Sequence, residues 1–299
     1  MKTWFVTGAS RGFGARIAEK ALARGDTVVA TARNPQSVID RLGQSDKLLA
    51  VALDVTNAQQ AEAVADQAHA RFGRIDVLVN NAGYGLISAV EEASAEEVEA
   101  LFRTNVFGLL AVTRAILPVM RKQRSGRILN FSSIGGYRAG AGFGIYSATK
   151  FAVEALSESL RAELAPLGID VTAIEPGYFR TDFLDATSLR IGQNEIADYA
   201  ATAGAVRDRA AAMNQRQPGN PDRLAEVVLE LADAPEPPVR LPLGSDTVAA
   251  VEAKHRSDAA IIEAWRNVSV STDFAQPRTC PQCLYHQWSE DHVRPIRRH

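Results

Sequence analysis

The sequence predicts an α/β fold: a doubly wound parallel β-sheet of about seven strands with helices on both faces. Three observations lead there. Short, dense apolar runs alternate with longer segments whose apolar residues recur at helical spacing. The runs do not alternate polar with apolar, as expected of strands covered on both sides. A glycine-rich turn stands where the first run gives way to the first helical segment. Strands alternating with helices imply βαβ units, and hence a parallel sheet.

Strands are expected at residues 2–7, 27–31, 48–53, 77–80, 126–131 and 170–174, each rich in Val, Ile, Leu, Ala or Phe. Helices are expected at 12–24, 57–72, 95–121 and 147–167; in the last, Phe151, Ala155, Leu156, Leu160 and Leu164 form one stripe. After Pro176-Gly177 the rhythm changes, and 177–218 is a mixed stretch with weak strand signal. Asn220 is placed as an N-cap with Pro221 at the first helical position, so a helix restarts there. Residues 239–243 form one more short strand, followed by a helix from Ser245 to about Trp265. One domain over 1–274 is expected, with 275–299 aperiodic and disordered.

Composition narrows the function classes. The 299 residues are 46% hydrophobic and 23% charged, ordinary for a globular protein with a sizeable core. Lys plus Arg is 33 against 35 for Asp plus Glu, a formal charge of −2 that gives no basic footprint for nucleic acid. No apolar run approaches the roughly 18 residues of a membrane span, and the N-terminus leaves no room for a signal peptide before strand-like sequence. The two cysteines, both in the tail, fit a reducing compartment, so a cytoplasmic location is expected. Cys280 and Cys283, with His286 and His292, suggest zinc, but a short aperiodic terminus lacks the frame a four-ligand site needs, so no metal is expected.

Thr7–Gly14 reads TGASRGFG. Gly8, Gly12 and Gly14 remove side chains where a backbone turns sharply and approaches a ligand. The helix that follows presents unpaired N–H groups to a pyrophosphate. Gly8-Ala9-Ser10-Arg11-Gly12 also spells the G-x-S-x-G of a hydrolase elbow. That turn needs several preceding strands and a partner His; here one strand precedes it.

Together with NNAG (Asn80 to Gly83), Asn105, Ser133, YSATK (Tyr146 to Lys150) and Pro176-Gly177, the turn resembles the short-chain dehydrogenase/reductase family. Order and spacing agree from residue 3 to about 180, and more weakly to about 274. The resemblance implies a Rossmann-type sheet, a nicotinamide cofactor, and interconversion of an alcohol and a carbonyl.

Carbonyl reduction needs a proton donor beside the developing oxyanion, and Tyr146 is the candidate. A free phenol has a pKa of about 10. Lys150 follows four residues later on the same helical face, and a nearby cation is expected to lower it. The resemblance also gives Lys150 a hydrogen bond to the nicotinamide ribose. Ser133 would hold the substrate oxygen in line with Tyr146. Asn105, an odd choice inside a helix, would by resemblance interrupt it and hold a water that relays protons to Lys150. Taken singly, each has a plainer explanation: a solvated pair, a turn residue, a satisfied buried amide.

On the cofactor side, the resemblance assigns Ser10, Phe13 and the turn glycines to the pyrophosphate and its ribose. Asn81, Ala82 and Gly83 border the adenosine side, chiefly as structure; Asp54 and Val55 meet the adenine. Pro176, Gly177 and Thr181 lie toward the nicotinamide. The end of the second strand carries Arg33 and no acid, and Arg11 lies in the turn. Two guanidinium groups without a competing carboxylate suit a 2′-phosphate, so NADP(H) is expected.

Residues 177–218 correspond to the family's variable substrate loop, with Tyr178, Phe179, Phe183 and Leu184 as apolar candidates, completed by Phe143, Tyr84 and Gly142. The substrate is expected to be a small secondary alcohol or ketone. Helices 95–121 and 147–167 often form subunit interfaces in the family, so a homo-oligomer, dimer or tetramer, is expected. The contrasting expectation is a non-catalytic NADP(H)-binding regulator, which would have little use for Ser133, Tyr146 and Lys150 together.

Overall fold

A computed structural model describes residues 1–274; the Cys280/Cys283 motif and the tail expected to be disordered lie outside the described residues. The strands are β1 (Thr3–Thr7), β2 (Thr27–Ala32), β3 (Leu48–Ala52), β4 (Val77–Asn80), β5 (Gly85–Ile87), β6 (Gly126–Phe131), β7 (Ile169–Pro176), β8 (Leu189–Ile191) and β9 (Arg240–Leu243). The helices are α1 (Gly12–Ala23), α2 (Gln36–Leu42), α3 (Ala58–Phe72), α4 (Ala95–Phe102), α5 (Leu109–Gln123), α6 (Gly144–Leu164), α7 (Ala205–Met213), α8 (Pro221–Asp233) and α9 (Ser245–Val270).

Seven strands form one parallel sheet in the order β3-β2-β1-β4-β6-β7-β9. Both faces are buried, which is why the strands read as continuous apolar runs. On one face Trp4, Val6, Val28 and Val79 pack against Ile17 and Ala21 of α1 and Leu224 and Val228 of α8. On the other, Phe5, Val29, Leu78 and Ile128 pack against Val64 of α3, Val112 and Ile116 of α5, and Leu164 of α6. Inside the sheet, Asn80 Nδ2 donates to Asn130 Oδ1 at 2.9 Å and to Thr113 Oγ1 at 3.0 Å.

Several elements depart from the expectations. The helix expected over 95–121 is three pieces, because a π turn at Arg103–Gly108 separates α4 from α5. Gly108 lies so close to Val55 that a Cβ there would meet Val55 Cγ2 at 2.7 Å, and Asn105 turns inward. The helix expected from residue 147 begins at Gly144, so Tyr146 stands in its first turn. The stretch 177–218 is structured: β8 pairs in parallel with β5, and a π turn at Ala200–Gly204 leads into α7. The seven-residue α2 was not expected, and α9 runs past Trp265 to Val270.

Residues Met1–Ala253 form one compact unit, and the described residues from Lys254 belong to a second. By length and composition alone, one helical stretch, Ala95–Gln123, is long and apolar enough to cross a membrane. Leu101, Val112, Ile116 and Met120 within it are buried in the protein's cores.

Asn220 caps α8 as expected: its Oδ1 accepts from the backbone N–H of Asp222 at 2.9 Å and of Arg223 at 3.2 Å, with Pro221 next in line. Replacing Asn220 by Ala removes both bonds and is expected to lower stability by about 1 kcal/mol. The urea midpoint should fall with no change in slope.

Candidate active site

The strand order reverses between β1 and β4, and the loops that leave the sheet there diverge around a cleft of about 840 Å³. The glycine turn forms one wall. Gly8 and Gly12 have φ of 66° and 56°, which side-chain-bearing residues rarely adopt. A Cβ on Gly14 would meet Gly8 O at 2.5 Å and Asn81 Nδ2 at 2.6 Å, so only glycine lets the turn close. No side chain caps the start of α1, which leaves its first N–H groups facing the cleft that Ser10, Arg11 and Phe13 line. Phe13 stacks on Phe131 at 5.5 Å between ring centroids and meets Phe179 edge-on at the same distance, tying the turn to β6 and to the loop after β7.

The neighbouring loops carry the remaining cofactor-side candidates. Arg33 lines the cleft beside Asn34 and Ser37 with no acid at that strand end. Arg11 reaches across and donates to Thr187 O at 2.7 Å, so its guanidinium is partly engaged by the loop before β8. Asp54 lines the cleft, with Oδ1 accepting from Thr56 N at 3.0 Å and Thr56 Oγ1 at 2.8 Å; Val55 beside it is buried. Asn81 Nδ2 donates to Thr7 O at 2.9 Å and Gly8 O at 3.1 Å, clamping the glycine turn to the loop containing Ala82 and Gly83. Gly177 packs so tightly on Asp246 that no Cβ fits, and Pro176, Gly177 and Thr181 line the cleft's far end. The Thr181 hydroxyl accepts from Phe183 N at 3.3 Å.

Ser133, Tyr146 and Lys150 converge where β6 ends against α6. Ser133 Oγ hydrogen-bonds the Tyr146 hydroxyl and accepts from Gly135 N at 3.1 Å. Tyr146 is 7% exposed and lies between Phe143 and Phe183, with ring centroids at 6.0 and 5.9 Å. Lys150 Nζ donates to Phe131 O at 2.8 Å and stands 5.7 Å from the centre of the Tyr146 ring. Asn105 makes three hydrogen bonds: Oδ1 accepts from Tyr84 N at 3.1 Å, and Nδ2 donates to Tyr84 O at 2.9 Å and Thr149 Oγ1 at 3.2 Å.

One electrostatic expectation is corrected. Lys150 does not lower the Tyr146 phenol here; burial pushes it up to about 12, with the Ser133 hydrogen bond pulling the other way. Burial also pushes Lys150 down to about 8, opposed by Glu154. Desolvation outweighs attraction because Lys150's ammonium is turned to the Phe131 carbonyl. Both groups are thereby driven toward their neutral forms, and the phenol keeps a transferable proton.

Phe143, Tyr178, Phe183 and Leu184 line the other half of the cleft with Tyr84. Gly142 does not; its φ of 77° places it against Val206 and Ala203. Arg190, unforeseen, lines the cleft with its guanidinium 4.4 Å above the Tyr84 ring. It stands on the three-residue β8, too short to read from sequence. Thr149, also missed, was findable, three residues after Tyr146 on the same helical face. Among the described residues no histidine lines the cleft beside Ser10.

A family model described as short chain dehydrogenase matches residues 2–191. The chain is 37% identical over 274 residues to the oxidoreductase BOA17 of Botryotinia fuckeliana, covering 91% of this chain and 99% of that protein. It is 38% identical over 242 residues to a 3-ketodihydrosphingosine reductase of Bacteroides thetaiotaomicron, covering 80% and 86%. Among solved structures, a short-chain dehydrogenase from Streptomyces avermitilis superposes with a TM-score of 0.85 at 42% identity, over 91% of this chain and all of that one (100%). A serine dehydrogenase complexed with NADP+ superposes at 0.69 with 28% identity, over 94% and 100%. With the parallel sheet, the glycine turn and the Ser133–Tyr146–Lys150 cluster in register, the chain belongs to the short-chain dehydrogenase/reductase family and is an oxidoreductase.

Proposed function

We propose that this oxidoreductase interconverts a secondary alcohol and a ketone with NADP(H), Tyr146 acting as general acid and base. The observation that carries the proposal is the adjacency of the Ser133 and Tyr146 hydroxyls on an apolar wall, in the same cleft as an uncapped helix N-terminus. The cleft's own residues fit the cofactor. Gly14 must lack a side chain for the turn to close, the first N–H groups of α1 suit a pyrophosphate, and Arg33 ends a strand without a competing acid. Some solved relatives hold NADP(H) and others NAD(H), so cofactor choice rests on Arg33 and Arg11 in this chain.

When bound, the nicotinamide supplies or accepts the hydride. For ketone reduction, Ser133 donates a hydrogen bond to the carbonyl oxygen and fixes it beside Tyr146. The Tyr146 phenol, held protonated by its burial, gives its proton to that oxygen as charge develops. Lys150 stands close enough to stabilise the phenolate left behind, and Asn105 holds the loop of Gly83 and Tyr84 against α6. Phe143 and Phe183 exclude water, and with Tyr178 they favour an apolar substrate. Exposed Phe107 and Phe151, on the π turn and α6, support assembly as a homo-oligomer, and we infer a cytoplasmic enzyme.

Tyr146→Phe removes the proton donor while keeping the ring. Turnover of ketones should fall about 10²- to 10⁴-fold, with NADPH affinity, followed by nicotinamide fluorescence, unchanged. Retained turnover would refute Tyr146 as the proton donor, whereas a wild type that binds NADPH and turns over no ketone would favour a regulator that only binds the dinucleotide. Arg33→Asp loses a charge-assisted bond worth about 1.5–3 kcal/mol and should weaken NADPH about 10- to 100-fold. Its effect on NADH should be much smaller, and equal losses would refute a phosphate contact.

A further inference from the structure

Gln217 lies on the segment that leads into α8, lines the cleft and is 1% exposed. Its backbone is anchored. The Gln217 carbonyl accepts from Arg180 Nε and Nη2, each at 3.3 Å; two residues on, Gly219 O accepts from Arg180 N at 3.0 Å and Gly219 N donates to Tyr178 O at 3.0 Å. Its side chain is not. Neither Oε1 nor Nε2 has a hydrogen-bond partner among the described residues. Of the described residues that line the cleft, Gln217 alone carries two buried polar side-chain atoms in that condition; Ser132 and Ser147 carry one each.

A buried amide with its donor and its acceptor both unmatched costs stability, and the cost is recovered when a ligand supplies the missing halves. The neighbours of Gln217 locate that ligand. The loop it anchors runs from Tyr178 to Thr181, which is buried and lines the same cleft with Pro176 and Gly177. Within that loop Phe179 lies so close to Gly219 that a Cβ there would meet its ring at 2.6 Å, and the same ring meets Phe13 in the first turn of α1. Gln217 thus belongs to the part of the cleft bounded by the uncapped start of α1 and the loop after β7, where the dinucleotide fits.

Hydrogen-bond valence selects the group within the dinucleotide. A pyrophosphate offers acceptors only and would leave Oε1 unmatched. A primary carboxamide offers one carbonyl and one amino group side by side, so two carboxamides pair through two hydrogen bonds. The match holds whichever way the Gln217 amide is turned, because neither atom is committed to the protein. We propose that Gln217 is a cofactor-binding residue that pairs amide to amide with the carboxamide of the nicotinamide, Nε2 donating to its carbonyl and Oε1 accepting from its amino group. Both nicotinamide dinucleotides carry that group, so the pairing is independent of the choice made by Arg33 and Arg11. It rests on the cofactor and not on the substrate proposed above.

The test is calorimetric binding to wild type and to Gln217→Met, which keeps the side chain's length and removes both polar atoms. NADP+ should bind the variant about 10- to 100-fold more weakly. 2′-Phospho-ADP-ribose, which keeps the pyrophosphate and both riboses but lacks the nicotinamide, should bind both proteins alike. Equal losses for the two ligands, or no loss for either, would overturn the pairing. The Tm of the cofactor-free variant should equal or exceed that of wild type, because no bond within the protein is removed. A lower Tm with unchanged NADP+ affinity would assign the amide to the fold and overturn the proposal. A third ligand, the 3-acetylpyridine analogue of NADP+, replaces the amino group of the carboxamide by a methyl group. Wild type should bind it about 5- to 10-fold more weakly than NADP+, and Gln217→Met should lose most of that difference. Should the variant not fold, wild type still decides: equal affinity for NADP+ and its acetylpyridine analogue would overturn the pairing. A wild type that binds none of the three ligands would refute the cofactor itself, and the pairing with it.

Discussion

The arrangement of this protein depends on one topological constraint, the reversal of strand order between β1 and β4. From β1 the chain builds outward through β2 and β3, and from β4 outward through β6, β7 and β9. Right-handed crossovers on the two sides therefore cover opposite faces, and none crosses the gap between the diverging strand ends. The glycine turn, the Asn81–Gly83 loop, the Ser133 turn and the Pro176-Gly177 turn all open at that edge. A sheet wound in one direction would place the same motifs along one face, too far apart to share a cleft.

Given that edge, the cleft's character follows from how few charges it admits. Its catalytic wall is a polar cluster inside an apolar frame: Tyr146 between Phe143 and Phe183, and Lys150 bonded to a backbone carbonyl. In such surroundings burial dominates attraction, lifting the phenol and lowering the ammonium. The same desolvation acts on Glu154 and Glu175 from behind. Buried titratable groups on α6 and β7 thus lean toward neutral forms near the end of β6, where Lys150 bonds Phe131 O and Ser132 N bonds Ile174 O.

Much of this was legible in the residues. The buried parallel strands announced themselves because strands covered on both faces cannot alternate, and the Asn220-Pro221 start of α8 because its capping chemistry is local. What escaped notice is held by partners distant in sequence. The π turn exists because Gly108 meets Val55 and Asn105 meets Tyr84. Strand β8 exists because residues 189–191 find β5, and Arg11 is drawn to Thr187 by a loop with no periodicity of its own.

The sequence by itself determined the fold class, the family and the identity of the hydroxyl and ammonium side chains that meet in the cleft. Spacing along strands and helices is a local property, and the motif order leaves one topology that brings them together. Only the tertiary structure decided the protonation leanings of Tyr146 and Lys150 and the engagement of Arg11. Those depend on desolvation and through-space distance, which arise from packing between elements that the chain itself keeps far apart.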